Sequence, residues 1–246
     1  MTEIQKHVAL IIGAGDDTGG AIARAFAKDG LHACVVRRPR HVDKLEALAN
    51  SIIAEGGSAS PHGVDARDEE AMAALIAEIE TNIGSIDVAV FNIGANVKFD
   101  IARTTPRVFR KIWEMGSFAG FLMAHNVAPH MEERGRGTMI FTGATASMRG
   151  SAGFAAFAAA KHSLRALAQS CARELGPKGI HVAHTIIDGA IDSKFIRDNF
   201  PKVDEMREKD LILNPDHIAE NYVRLHHQPR DSWTFELDLR PYGETW

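Results

Sequence analysis

A glycine-rich segment near the N-terminus has the residue types and spacing of a phosphate-binding turn. Residues 13–20 read GAGDDTGG and lie between a strand-like segment at 7–12 and a helix-like segment at 18–29. Such a turn lets the backbone approach a pyrophosphate, and the N-terminus of the following helix stabilises the negative charge. The pattern therefore predicts a dinucleotide-binding turn. Its predicted binding residues are Gly13, Gly15, Asp17, Thr18 and Gly19.

Asp17 brings a carboxylate into this turn. The carboxylate either caps the helix that follows, as aspartate often does, or repels the pyrophosphate and weakens its binding. The sequence alone leaves both alternatives open.

Short apolar segments alternate with long, Ala-rich amphipathic segments along the chain, and this alternation predicts a parallel sheet with helices on both faces. We expect one doubly wound α/β domain of about seven strands over residues 1–246. The predicted strands are 7–12, 32–37, 58–63, 86–91, 137–142, 180–186 and 233–239. The predicted helices are 18–29, 41–55, 67–82, 104–132, 151–175 and 215–227. The charged, poorly periodic segment 193–214 is typical of a substrate loop or lid.

The composition is that of a globular protein, with 45% hydrophobic and 24% charged residues. A net charge of -4 without a basic block favours neither nucleic-acid nor membrane binding. Cys34 and Cys171 lack disulfide or metal-site spacing, which predicts reduced thiols and no metal. The segment at 7–12 leaves no room for a signal peptide, and no apolar run would span a bilayer. We therefore expect a cytoplasmic protein.

Motifs along the chain resemble those of the short-chain dehydrogenase/reductase family. The glycine-rich turn is similar to that family's Gly-x-x-x-Gly-x-Gly, with Gly13 and Gly19 matched and Asp17 at the middle glycine. Further matches are Gly63-Val64-Asp65-Ala66, Phe91-Asn92-Ile93-Gly94, Phe157-Ala158-Ala159-Ala160-Lys161 and Asp188-Gly189-Ala190-Ile191-Asp192-Ser193. The resemblance covers His7 to about Leu225, and it implies a Rossmann-type fold and a nicotinamide dinucleotide cofactor.

The resemblance also implies cofactor contacts at the ends of the predicted strands. Asp65 would reach the adenine amine, and Ala66 would supply backbone groups. Asn92 would support the central sheet, and Gly94 would let the cofactor pass close to the backbone.

A second set of implied contacts lies later in the chain. The segment that follows Gly189 would hold the carboxamide through the Ile191 backbone and the Ser193 hydroxyl. Asp188 stands where the family has proline, which leaves the geometry of that turn open. Lys161 would hold the nicotinamide ribose, because an ammonium has donors for two hydroxyls. The alternative is that Lys161 is a surface residue of the helix at 151–175.

Arg37 and Arg38 end the second predicted strand, where relatives that prefer NAD have an acidic residue. Two guanidinium groups would pair with a 2′-phosphate and would leave a plain ribose without its acceptor. We therefore expect NADP(H) rather than NAD(H). The alternative is a solvated basic turn, because Arg40 and Lys44 lie nearby.

Most of the family's catalytic positions are replaced. Its tyrosine corresponds to Phe157 and its serine to Ala144, and its asparagine corresponds to Gly116 or, with a shift of one residue, to Ser117. Only the lysine, Lys161, is retained. Phenylalanine neither donates nor accepts the proton that this reaction moves.

Four side chains near these positions are conceivable substitutes for the missing proton donor. Thr145 and Ser147 are the main candidates, and Ser151 and His162 are also close in sequence. His162 projects about 100° around the helix from Lys161, which favours an ordinary exposed or interface histidine.

Two functions remain possible from the sequence. One is an NADP(H)-linked oxidoreductase with a non-standard active site, acting on a small carbonyl or alcohol. The other is a catalytically inert nucleotide-binding protein that serves as a sensor or a partner subunit. In either case the resemblance implies a homodimer or homotetramer formed through the helices at 104–132 and 151–175.

Overall fold

In the part of the chain that the structure describes, seven strands form one parallel sheet in the order β3-β2-β1-β4-β5-β6-β7. The computed structural model describes residues 6–199 and 201–244, excluding the side chains of 195 and 199. The strands are β1 (Lys6–Ile12), β2 (His32–Arg37), β3 (Ser58–Gly63), β4 (Gly84–Phe91), β5 (Gly137–Thr142), β6 (Ile180–Ile187) and β7 (Glu236–Leu239). The helices are α1 (Thr18–Lys28), α2 (Val42–Ala54), α3 (Glu69–Glu78), α4 (Pro106–Trp113), α5 (Ala119–Arg134), α6 (Ala155–Leu175), α7 (Lys194–Asn199), α8 (Val203–Glu208) and α9 (Pro215–His226).

The strand order reverses direction at β1, which pairs with β2 on one side and with β4 on the other. At such a switch point the loops after the two strands diverge and leave a crevice at their carboxyl ends. The predicted doubly wound Rossmann-type domain is confirmed. The crevice is the place where this fold binds ligands.

Two apolar layers cover the sheet because its strands carry apolar side chains toward both faces. On one face, α3, α5 and α6 pack around Phe91 and Phe141. On the other face, α1, α2 and α9 pack around Phe26 and Tyr222. The sheet is therefore buried on both sides, and its strand ends are held firmly enough to position a site.

The region at 104–132 differs from the sequence prediction. The predicted single helix at 104–132 is divided into α4 and α5 by one π-helical turn, Glu114–Phe118. A Cβ at Gly116 in this turn would lie 3.1 Å from the Ala160 Cβ, so α6 packs tightly here against a bare backbone. The apolar pattern runs through the turn without a break, which is why periodicity did not reveal it.

The segment 193–214, predicted to be irregular, contains the two short helices α7 and α8. Their six-residue length is too short to produce a clear helical period. Over the described residues, no helix is long and apolar enough to cross a membrane.

Candidate active site

A cavity of about 740 Å³ opens at the carboxyl ends of the strands around the switch point. Every residue that the sequence assigned to cofactor binding lines it: Gly13, Gly15, Asp17, Thr18, Gly19, Arg37, Arg38, Asp65, Ala66, Asn92, Gly94, Lys161, Gly189, Ile191 and Ser193. Ala144, Thr145 and Phe157 line it as well. The fold thus brings the glycine-rich turn and the retained lysine into one space.

The glycine-rich turn needs its glycines for steric reasons. Gly13 has a φ of +93°, which disfavours other residues, and a Cβ at Gly19 would lie 2.3 Å from the Gly13 carbonyl oxygen. That carbonyl also accepts a hydrogen bond from Asn92 Nδ2 at 3.3 Å. A Cβ at Gly15 or Gly94 would meet no protein atom within 4 Å. The backbone therefore folds tightly on itself and leaves open space on the cavity side.

Asp17 does not cap α1, so the capping alternative is wrong. Its Oδ1 instead accepts a hydrogen bond at 2.8 Å from the backbone N–H of Lys194, the first residue of α7. Arg197 Nη2 lies 3.9 Å from the same oxygen. The carboxylate therefore joins the glycine-rich turn to the segment at 193–214.

Arg37 and Arg38 have different surroundings. Arg37 Nη1 contacts Asp16 Oδ1 at 3.2 Å, and Lys44 Nζ contacts Asp16 Oδ2 at 2.8 Å. Among the described residues, the Arg38 guanidinium has no hydrogen-bond or ion-pair partner. Burial, and then the positive charge of Arg40, lowers its pKa, and the more distant Asp65 carboxylate opposes this lowering. Arg38 is thus a cation in the cavity wall that no described anion contacts directly.

Asp65 is held in place by its neighbour Arg67. Arg67 donates from Nε to Asp65 Oδ1 at 2.9 Å and from Nη2 to Oδ2 at 2.6 Å. These hydrogen bonds lower the pKa of Asp65 and keep it ionised. The carboxylate predicted to reach adenine is therefore fixed at the cavity edge by a bidentate partner.

Lys161 is not a surface lysine, since only 2% of the residue is exposed. Its Nζ donates to the carbonyl oxygens of Thr142 at 2.8 Å and Ile93 at 3.1 Å, which anchors it to the ends of β5 and β4. Burial lowers the pKa of Lys161 to about 8. The ammonium therefore stays mainly protonated at neutral pH, with one N–H not used by these two bonds.

Phe157 and Ala144, the positions that the resemblance assigns to the family's tyrosine and serine, present apolar groups to the cavity. Phe157 is 9% exposed and packs with Ile112, Ala156 and Ala160, and its ring centroid lies 6.0 Å from Lys161 Nζ. Ala144 lines the same wall. Gly116 does not line the cavity, and the hydroxyl of Ser117 is bonded to Ser163 Oγ at 2.7 Å. None of these side chains offers a proton to the cavity.

Thr145 and Ser147, the two candidate substitutes, differ in access. Ser147 is fully buried, does not line the cavity and accepts the Ala144 N–H at 3.1 Å, so its assignment as a proton donor is wrong. Thr145 lines the cavity, and its Oγ1 donates a hydrogen bond to Asp188 Oδ1. Of the two, only Thr145 can contact a ligand.

The remaining candidates lie farther from this chemistry. His162 is exposed and donates to the Ala158 carbonyl at 2.9 Å, as its helical position predicts. Ser151 lines the cavity at its exposed edge. Tyr222 is fully buried between Thr142 and Thr185, with its hydroxyl 2.8 and 2.6 Å from theirs. Within the described residues no group of His, Cys, Asp or Glu could hold a metal ion.

The segment at 193–214 is held by Asp192, which is 9% exposed. Arg207 donates to it from Nε at 2.8 Å, and Arg197 from Nη1 at 3.2 Å. A bridge between Ile191 and Leu213 closes the base of the segment. Helices α7 and α8 are thus fixed to one buried carboxylate beside the cavity.

The sequence analysis did not identify four further residues that contact the predicted site residues. Asp16 holds Arg37, Arg67 holds Asp65, and Arg149 and Arg240 approach Asp188. Of these four, only Arg67 could have been suggested by the sequence, because it lies two residues from its partner Asp65. The others depend on contacts between distant parts of the chain, which spacing does not reveal.

Comparison with known proteins agrees with this geometry. The model of the short chain dehydrogenase family matches residues 7–203. A short-chain dehydrogenase from Rhodopseudomonas palustris is 43% identical, with a TM-score of 0.82 over 96% of this chain and 99% of that one. A metagenomic short-chain oxidoreductase in complex with NADP is 27% identical, with a TM-score of 0.80 and coverages of 97% and 98%.

A third similar structure is a 7α-hydroxysteroid dehydrogenase in complex with NADH and a 7-oxo bile acid conjugate. It is 26% identical, with a TM-score of 0.84 over 98% of this chain and 95% of that one. The fold is thus one that binds NAD(H) or NADP(H). On the family match and the fold together, the chain belongs to the short-chain dehydrogenase family of oxidoreductases.

Proposed function

We propose that the chain is an NADP(H)-linked oxidoreductase that acts on a small carbonyl or alcohol without the family's tyrosine. The observation that carries this proposal is the single cavity lined by the glycine-rich turn, by Lys161 and by Thr145. A cofactor and a small substrate would meet in that space.

The residues of the cavity fit a nicotinamide dinucleotide. The turn at Gly13 and Gly19 is tight, whereas the space beside Gly15 and Gly94 is open to a ligand. The N-terminus of α1, which Asp17 leaves uncapped, suits a pyrophosphate. When bound, the nicotinamide supplies the two-electron chemistry, and the protein supplies position and electrostatics.

The preference for NADP(H) is supported by Arg38 more than by Arg37. Arg37 already contacts Asp16, whereas Arg38 has no such partner among the described residues. Burial is the largest cause that lowers the pKa of Arg38, and the positive charges of Arg40 and Arg67 nearby lower it further. A 2′-phosphate would relieve this crowding of cations, whereas a plain ribose would not.

The chain's own residues would divide the remaining tasks. Lys161, anchored on two carbonyls, has an N–H left to offer a ribose hydroxyl. Phe157 and Ala144 form an apolar wall that excludes water from the reacting carbon. Thr145 is the cavity hydroxyl adjacent in sequence to the replaced serine and the one bonded to a buried carboxylate.

A second candidate function is a catalytically inert nucleotide-binding protein that acts as a sensor or partner subunit. Phe157 and Ala144 favour it, since a positioned general acid contributes roughly 10²–10⁴ in rate. Polarising hydrogen bonds contribute roughly 10²–10³ more. A site that lost both without replacement would be almost inactive.

Turnover of a panel of small carbonyls and alcohols separates the two functions. NADPH oxidation or NADP⁺ reduction by the purified protein supports the oxidoreductase, provided that Lys161→Met abolishes it. NADPH binding by calorimetry without any turnover on the panel contradicts the oxidoreductase and supports the inert protein.

The segment 193–214 and the quaternary structure complete the proposal. The contact between Asp17 and Lys194 brings α7 over the glycine-rich turn, which suits a lid over the cofactor.

Phe109, Trp113 and Phe121 on α4 and α5 are each about 40% exposed. Their burial against a second copy supports a homodimer or homotetramer through the helices at 104–132 and 151–175.

A further inference from the structure

We infer that Thr145 and Asp188 form a proton relay that replaces the missing tyrosine in this chain. The inference rests on the proposed oxidoreductase function and adds the residue that takes the proton. Thr145 is the catalytic residue in this relay, since it would touch the substrate. Asp188 acts through Thr145.

The two residues come from neighbouring strand ends. Thr145 follows β5 and lines the cavity, whereas Asp188 directly follows β6 and lies behind it. Thr145 Oγ1 donates its hydrogen to Asp188 Oδ1. Because this hydrogen points away from the cavity, the lone pairs of Oγ1 remain available to a substrate hydroxyl.

Asp188 is surrounded by positive charge. Its side chain is 3% exposed, and the Arg240 Nη2 lies 3.2 Å from Oδ2. Arg149 Nη2 lies 3.5 Å from Oδ1, and Asp238 shares Arg240 from the far side. Buried carboxylates are stable only when they are paired in this way. The arrangement therefore places a carboxylate acceptor directly behind a cavity hydroxyl.

The family's pattern has proline at the position of Asp188, and proline accepts no side-chain proton. Two departures from that pattern therefore border one cavity: a proton-transfer group is lost at Phe157 in its wall, and a carboxylate is gained at Asp188 behind its Thr145 hydroxyl. Thr145 donates to the gained carboxylate and lines the same cavity as Phe157 and Ala144.

In alcohol oxidation the relay moves one proton by two steps. The substrate O–H bond breaks and its proton goes to Thr145 Oγ1, while the proton of Thr145 goes to Asp188 Oδ1. The C–H bond of the substrate carbon breaks at the same time, and a nicotinamide dinucleotide bound in the cavity would be the oxidant that accepts this hydrogen with its electron pair as hydride. After the carbonyl product leaves, water in the cavity takes the proton back through Thr145. Carbonyl reduction runs the same path in reverse.

Steady-state kinetics of four variants tests the relay. Thr145→Val keeps the shape of the side chain and removes the hydroxyl, so kcat should fall by about 10²-fold or more with little change in KM. Thr145→Ser should restore kcat to within about tenfold of the wild type, since it returns the hydroxyl. Asp188→Asn should lower kcat in the same direction as Thr145→Val. Asp238→Asn is the matched control, because it removes a second carboxylate that contacts Arg240 and should leave kcat unchanged.

Each outcome of these kinetics is decisive. A wild-type kcat retained by Thr145→Val overturns the relay and leaves the oxidoreductase function standing. Wild-type protein that binds NADPH but turns over nothing overturns both. Equal losses in Asp188→Asn and Asp238→Asn also overturn the relay, because they would show a general effect of charge around Arg240.

A second readout needs neither cofactor nor turnover. Thr145→Cys places a thiol in the same position, and iodoacetamide reports both its access from the cavity and its pKa. Background alkylation is small, since burial raises the pKa of Cys34 to about 12 and of Cys171 to about 11. A carboxylate beside the introduced thiol raises its pKa, so adding Asp188→Asn should lower it by about one unit.

The same control applies to the thiol assay. Asp238→Asn in the Thr145→Cys background should leave the alkylation profile unchanged. The relay is overturned if the introduced thiol does not react with iodoacetamide, or if Asp188→Asn leaves the pH dependence of its alkylation unchanged.

Discussion

Asp17 Oδ1 accepts the backbone N–H of Lys194 at 2.8 Å, which ties the turn that should bind the pyrophosphate to the first residue of α7. The two residues are 177 positions apart in the chain. The Asp17 carboxylate, at the position where the resemblance places a glycine, is therefore an attachment point for the segment at 193–214. It still lines the cavity, where a pyrophosphate would meet its charge.

Removing this carboxylate should strengthen cofactor binding. We expect Asp17→Gly and Asp17→Asn both to tighten NADPH binding, most clearly at low salt, where repulsion is least screened. The Asn variant keeps an acceptor for Lys194, so it should disturb α7 less than the Gly variant does. Calorimetry at two salt concentrations, with melting temperatures, checks both points. Unchanged affinity in both variants would show that Asp17 does not oppose the pyrophosphate.

Arg38 should determine the choice of cofactor. We expect NADPH to bind more tightly than NADH by roughly tenfold or more, because a charge-assisted hydrogen bond contributes about 1.5–3 kcal/mol. Arg38→Ala should remove most of this preference by weakening NADPH alone. Arg37→Ala should have a smaller effect, since Arg37 is occupied by Asp16. Calorimetry that shows NADH binding as tightly as NADPH in the wild type contradicts this assignment.

Lys161 should give cofactor binding and protein stability opposite dependences on pH. Burial lowers its pKa from 10.5 to about 8, so the ammonium that would hold the ribose is lost above about pH 8. NADPH affinity should fall there. Between about pH 8 and pH 10.5 the unfolded chain binds more protons than the folded one. The free energy of unfolding should therefore rise with pH over this range. The rise is limited to about 3 kcal/mol.

Urea unfolding of the protein without cofactor at pH 7.5 to 10.5 measures this dependence. Lys161→Met should lack the rise, whereas Lys28→Met, which changes an exposed lysine of α1, should keep it. A rise of equal size in Lys161→Met would assign the effect to other groups.

Restoring the family's residues should create or raise carbonyl reduction. Phe157 and Ala144 line one wall beside Lys161, so Phe157→Tyr with Ala144→Ser returns the proton donor and the polarising hydroxyl together. Either change alone should do less, because residues that act as a unit are not additive. NADPH oxidation with a carbonyl panel measures the gain. A folded double variant that binds NADPH yet is inactive would contradict the proposed position of the nicotinamide.

The exposed aromatic face should form the contact between subunits. Trp113, Phe118 and Phe121 stack in a row that continues to His125, with centroid spacings of 5.8, 6.1 and 5.4 Å. We expect sedimentation to show a dimer or tetramer and Phe121→Arg to weaken it. Ile53→Arg, on α2 and 52% exposed, is the control and should leave the assembly intact. A monomeric wild-type protein would contradict this interface.

Most strands could be predicted well from the sequence because their apolar runs are bounded by glycine and polar residues, whereas β3 reads SASPHG and has no apolar run. The segments at 32–37, 58–63 and 137–142 agree with β2, β3 and β5 to the residue. The last strand was predicted too long, since β7 begins at Glu236 rather than at 233. Its edge position provides pairing on one side only, and propensity does not show where pairing starts.

The site could be predicted as a set of positions but not as a set of contacts. The order of the motifs was enough to assign Gly13, Arg38, Asn92 and Lys161 to one binding site, and all four line the same cavity. The sequence did not reveal that Ser147 is buried. Ser147 and Thr145 lie at similar distances from Phe157 along the chain. The short helical turn at Thr145–Ser147 decides which of the two side chains lines the cavity.

Gly116, one of the two positions that the resemblance gives to the family's asparagine, lies in close contact with α6. A Cβ there would lie 3.1 Å from the Ala160 Cβ and 3.5 Å from the Ala95 Cβ, so any larger residue requires α6 to shift by a few tenths of an ångström. The same helix carries Phe157 and Lys161. An asparagine placed at Gly116 would therefore press on the helix that holds Lys161, whereas Phe157→Tyr and Ala144→Ser do not act on this contact. Engineering an asparagine at this position therefore requires a compensating change on α6, and the tyrosine and the serine do not carry that requirement.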